Sequence, residues 1–174
     1  MTDTDFEDPE DKPITQPPSP ADLAAGVPQI HVFGDSHCQY FFRMPQDTVR
    51  IGLRGPRKFT FTGQSSPGAA LAGLRPGPST LDTKTAIADA LPSASHLILA
   101  FGQVDLEIGF YHRVLNKGED LDPKAYVAWL LDVYSDYLDT IMPQTQAKIA
   151  LKGVNLTTLA PRPYAARTIM RIID

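Results

Sequence analysis

The sequence predicts an α/β domain built on a mainly parallel sheet, and three observations carry that prediction. Short apolar strands alternate with amphipathic helical segments along the chain. The run His96-Leu97-Ile98-Leu99-Ala100-Phe101 is apolar almost without interruption, as a strand covered on both faces must be. Two strands, finally, end in a glycine followed at once by polar residues, the pattern of a chain that turns sharply at a sheet edge.

The elements follow in order. Gln29-Ile30-His31-Val32-Phe33 forms a first strand running into Gly34-Asp35-Ser36-His37. Lys58-Phe59-Thr60-Phe61-Thr62 alternates and gives a second, followed by a loop from Gly63 to Gly68. Thr80 to Leu91 is helical and closed by Pro92. After the buried strand comes Gly102-Gln103-Val104-Asp105. The clearest helix runs from Pro123 to Met142, with Asp122 as cap and Pro123 at the first helical position. Its apolar stripe is Val127, Leu130, Leu131, Tyr134, Leu138 and Ile141. The Phe41-Phe42 pair and the set Tyr126, Trp129, Tyr134 and Tyr137 belong to core or rim packing. Lys148 to Val154 is a further strand, and Tyr164 to Asp174 carries Ala166, Ile169, Met170 and Ile173 on one helical face. No internal repeat is visible.

Charge divides the chain in two. Of its 174 residues, 16 are Lys or Arg and 20 are Asp or Glu, for a net charge of −4. Residues 1–26 hold seven of the acids against Lys12 alone, together with five prolines. Such a segment has too little apolar surface to offset its ordering entropy, so it is expected to be a disordered leader. Residues 27–174 then form one α/β domain. Without a basic surplus a nucleic-acid partner is not expected. No run approaches the roughly 20 apolar residues of a membrane span, and the acidic start has no signal-peptide order. Cys38, the single cysteine, has no partner for an internal disulfide, which fits a reducing, cytoplasmic setting.

The chemistry gathers at the two glycine-ended strands. In open α/β sheets, sites form beyond the carboxyl ends of the strands. A serine just past such a turn presents its hydroxyl beside free backbone amides, which stabilise a developing oxyanion. The plainer use of the same residues is capping, with Asp35 or Ser36 holding the first turn of the next helix.

The segment Ile30-His31-Val32-Phe33-Gly34-Asp35-Ser36-His37 resembles the first block of the SGNH (GDSL-like) hydrolases. In those enzymes a strand leads into Gly-Asp-Ser and the serine is the nucleophile. Gly68, in Ser65-Ser66-Pro67-Gly68, falls where that family places its oxyanion glycine, and Gly102-Gln103-Val104-Asp105 falls at its Gly-x-Asn-Asp block. The resemblance spans about Ile30 to Leu156. It implies a three-layer α/β/α, flavodoxin-like fold and a cofactor-free serine esterase acting on small O-acylated substrates, acylated carbohydrates among them. Ser36 is then the nucleophile, with Gly68, Gln103 and Asp105 completing the site.

The chain departs from that pattern in two places. Val104 stands at the asparagine position and offers no side-chain donor. No Asp lies three residues before His31, His37, His96 or His112, so the late Asp-x-x-His that supplies the family's base is missing and the domain reads as C-terminally incomplete. Poor ester turnover is therefore expected. Among the histidines, His31 reads as structural and His96 as an edge residue, while His37 is turned away from the adjacent Ser36. His112 lies seven residues after Asp105, on the same side of an α-helix.

Two other readings use the same residues. Asp35-Ser36-His37 is also an Asp-x-His, which resembles the opening metal-ligand motif of metallophosphoesterases; Gln103 then stands where a bridging carboxylate is needed, and no Gly-Asn-His follows. The third reading is a ligand-binding module without catalysis, in which Arg50, Arg54, Arg57 and Lys58 attract an anion or serve only as a solvated basic face.

Overall fold

The computed structural model describes residues 13–43, 49–50, 56–57, 59–78 and 81–154. In chain order these form β1 (Ile14–Gln16), α1 (Pro20–Ala24), β2 (Gln29–Gly34), α2 (Gln39–Arg43), β3 (Val49–Arg50), β4 (Pro56–Arg57), β5 (Thr60–Ser65), α3 (Thr83–Ala90), β6 (His96–Ala100), α4 (Pro123–Ile141) and β7 (Lys148–Leu151). The main sheet has the order β1-β5-β2-β6-β7, while β3 and β4 pair in a separate two-stranded sheet. β5, β2, β6 and β7 are mutually parallel and β1 runs antiparallel along β5. The α/β class with a mostly parallel sheet is as the sequence predicts.

The period-2 alternation of strands sorts the core into two faces. Phe33, Leu97, Leu99 and Phe101 point to the larger one, against Ile87 and Leu91 from α3 and its end, the turn at Leu71–Leu74, and the inner side of α4. Val32, Phe61 and Ala100 point to the other, with Cys38 and the partly buried Ile30, Ile98, Phe41 and Phe42. The Phe41-Phe42 pair is thus packed by α2 beneath the sheet.

Several boundaries differ from the sequence expectation. β5 begins at Thr60 and continues through Gly63 to Ser65, where a loop is predicted from Gly63. Gly63 has φ +120°, and a Cβ there would lie 2.1 Å from the Val32 carbonyl oxygen. The glycine serves close strand approach, not a turn. β7 stops at Leu151 instead of Val154, although the Lys152 amide still donates to the Leu99 carbonyl at 2.9 Å.

In α4 the buried side is Tyr126, Leu130, Val133, Tyr134, Tyr137 and Ile141, whereas Val127 and Leu131 are exposed. The stripe is rotated toward three tyrosines with large apolar area, two of which also find an inner acceptor. Tyr134 donates to the Leu99 carbonyl at 3.1 Å and Tyr126 to that of Asp105 at 3.4 Å.

The expectation of a structureless leader is corrected over residues 13–26. β1 pairs with β5, and α1 is capped by Ser19 with Pro20 in its first turn. Asp22 accepts a 2.8 Å hydrogen bond from the buried Thr60 hydroxyl. Residues 1–12, Arg54, Lys58 and the helix expected over Tyr164–Asp174 lie outside the described residues.

Candidate active site

The chain leaves β2 toward β5 on one side of the sheet and leaves β6 toward β7 on the other. The carboxyl ends of β2 and β6 therefore border the point where the winding reverses, the usual position of a crevice in such sheets. Gly34 permits the approach of these two ends: a Cβ on it would stand 2.3 Å from the Ala100 carbonyl oxygen. Beyond it, the Asp35 amide donates to that same carbonyl at 3.2 Å. On the other flank, the Ser66 amide donates to the Gly34 carbonyl at 2.9 Å and the Ser65 hydroxyl to the Asp35 carbonyl at 3.1 Å. The three loops are thereby tied together at one end of the sheet.

Asp35 is 1% exposed and caps a short 3-10 turn, Ser36–Cys38. Its Oδ1 accepts the His37 amide at 2.8 Å and faces His37 Nδ1 at 3.1 Å, while Oδ2 meets no donor among the described residues. The plainer capping role is thus filled by Asp35, which leaves Ser36 free for another. Ser36 is half-buried, and its hydroxyl makes no hydrogen bond to a described residue. The far nitrogen of His37, Nε2, lies 3.9 Å from Glu107 Oε2, and the other Glu107 oxygen accepts the Gln103 side-chain amide.

Glu107 was not among the residues the sequence singled out. Its signal was the spacing of four from Gln103 on the helical segment after Gly102, which puts the two side chains in reach of one another. Burial accounts for the neighbouring groups. Cys38 is fully buried and its thiol is pushed up to about 11 by desolvation, so it is inert. His31 faces the Thr62 hydroxyl at 3.3 Å, with its pKa lowered by burial, in keeping with a structural role.

The other predicted site residues divide. Gly68 has φ +71°, its amide meets no acceptor among the described residues, and a Cβ there would meet nothing within 4 Å. It borders a cavity of about 120 Å³ with Ala69, Ala70 and Phe101. Gln103 is 3% exposed, and its side-chain amide donates to Glu107 Oε1. Asp105 does something else. Both its oxygens accept backbone amides, from Leu71 and, at 3.0 Å, from Ala72. Its carboxyl pKa is raised by desolvation, which these amides oppose. Asp105 thus anchors the loop after β5.

His112 is corrected in position. The segments Asp105–Gly109 and His112–Asn116 are π-helical, and their wider winding breaks the α-helical phase between Asp105 and His112. Asp105 is buried while His112 is exposed beside Asn116 at 3.3 Å. Among the described residues no group of three or more His, Cys, Asp or Glu is placed to hold a metal ion. Nor is any helix among them long and apolar enough to cross a membrane. Comparison with protein-family models, curated proteins and solved structures yields no match for this chain.

Proposed function

We propose that the chain is a slow serine ester hydrolase of the SGNH type, acting on small O-acylated substrates, with acylated carbohydrates as the class of interest. The observation that carries the reading is the position of Ser36. It opens the 3-10 turn directly after β2, at the reversal point of the sheet, half-buried and with its hydroxyl uncommitted to described residues.

In this reading Ser36 Oγ bonds to the acyl carbon, its proton passes through solvent to the departing oxygen, and the alcohol leaves with the acyl group carried on the serine. The amides of Ser36 and Gly68 receive the oxyanion. Gln103 is a poor third donor because its amide already serves Glu107. Acylation is slow because no imidazole is hydrogen-bonded to Ser36 Oγ and Val104 contributes no donor; each such deficit costs a factor of roughly 10² or more in comparable sites.

The test is steady-state turnover of a nitrophenyl acetate series by the full chain and by Ser36→Ala. Weak turnover that Ser36→Ala abolishes and chelators leave unchanged supports the reading. Turnover equal in both proteins refutes it.

A further inference from the structure

We propose that His37 is the base that activates the hydrolytic water at this site, oriented by Asp35 and faced by Glu107; the inference rests on Ser36 being the acylated group. The arrangement of acceptors points to it. A carboxylate only accepts, so the 3.1 Å contact with Asp35 Oδ1 requires the proton of a neutral His37 ring to sit on Nδ1. The lone pair is then on Nε2, directed to the side where Glu107 Oε2 stands at 3.9 Å.

Two acceptors at that separation do not bond to one another. A water donating a hydrogen to each would span the gap with its own lone pairs outward. The ring is held from one side, where Asp35 Oδ1 accepts from the backbone amide of His37 as well as facing Nδ1, and Gln103 fixes the second oxygen of Glu107 on the other side of the gap. The His37 side chain is 38% exposed, so it is open to solvent.

The step balances without a further reagent. Nε2 takes one proton from the water as its oxygen bonds to the acyl carbon, and Asp35 stabilises the imidazolium that forms. The acyl bond to Ser36 Oγ then breaks, the proton on Nε2 returns to that oxygen through solvent, and a carboxylic acid is released. His37 is the catalytic residue here. Asp35 and Glu107 are positioning residues.

The experiment uses the full chain with nitrophenyl acetate, following nitrophenol release on the stopped-flow scale and the mass of the Ser36 peptide after acid quench. The wild type is expected to release product without a burst and to show little acetyl adduct, because deacylation outpaces acylation. His37→Asn and His37→Gln are expected to slow deacylation by roughly 10²–10³-fold, giving a burst and a lasting acetyl group on Ser36. Added imidazole restores deacylation in His37→Gly. Glu107→Leu, which removes the acceptor facing Nε2, slows deacylation; thermal unfolding verifies that each variant is folded. An adduct on Ser36 that decays equally fast in wild type and in folded His37 variants overturns the role of His37 and leaves Ser36 standing. No adduct in any protein overturns Ser36 as the acylated group, and this inference with it.

Discussion

Asp35 and Asp105 are both 1% exposed, and their surroundings differ: Asp105 anchors a loop, while Asp35 lies at the strand end of the candidate site. Asp105 gives both oxygens to the amides of Leu71 and Ala72; Asp35 gives one oxygen to His37 and leaves the other without a donor among the described residues. Removing Asp105 strands two amides, each costing about 1–3 kcal/mol when left unsatisfied. Asp105→Ala is therefore expected to lower stability by roughly 2–5 kcal/mol, read from urea unfolding. The pH dependence has a definite sign. Because desolvation raises the folded pKa of Asp105 above 3.8, its stabilising contribution is full below that value and declines as pH rises through the folded pKa. The stability of the wild type minus that of Asp105→Asn should fall over that interval, and a rise would contradict the assignment. At this scale the Gly-Asp-Ser turn located Ser36 at a strand end, where the structure has it, and the sequence allowed Asp105 a loop-shaping role. It concealed the approach of Glu107 to His37, which depends on two loops meeting at one end of the sheet.

Secondary-structure elements were legible where one local signal dominated. Asp122 and Pro123 announced α4, and its cap is realised as a 2.8 Å bond from the Ala125 amide to Asp122. Substituting Asp122 by Ala should cost about 1 kcal/mol. The buried side of that helix was harder to read, because two apolar stripes share Leu130, Tyr134 and Ile141. Tyr126, Val133 and Tyr137 are buried where Val127 and Leu131 are not because of what α4 packs against, and that has no local trace. β5 illustrates the same limit. Gly63 reads as the start of a loop, yet it lies within the strand because the Val32 carbonyl approaches its Cα too closely for a side chain. Gly63→Ala adds both a steric clash with backbone and a strained φ, so it should destabilise far more than Asp122→Ala. Circular dichroism melts of the two variants give the order directly, and an unchanged melting temperature for Gly63→Ala would refute the packing at β5.

For the molecule as a whole, composition mispriced the first segment by treating residues 1–26 as uniform. The acids and prolines are real, but Ser19-Pro20-Ala21-Asp22 is also a capped helix start, and Ile14-Thr15-Gln16 needs only a sheet edge to pair with. That edge belongs to β5, which precedes the Gly68 loop, so the N-terminal segment supports one wall of the candidate site. Two consequences follow from removing it. The buried Thr60 hydroxyl loses a charge-assisted partner in Asp22, at a cost of about 1.5–3 kcal/mol, and the edge of β5 is left open to pair with another chain. A chain beginning at Val27 should therefore melt at a lower temperature than the full chain and self-associate as its concentration rises. Asp22→Ala, with β1 intact, should reproduce part of the first effect and none of the second. Differential scanning calorimetry and analytical ultracentrifugation of the three proteins separate these terms. Equal melting temperatures for the full and shortened chains, with both monomeric, would mean that β1 and α1 contribute nothing to the domain and that the acidic leader extends to Gly26 after all.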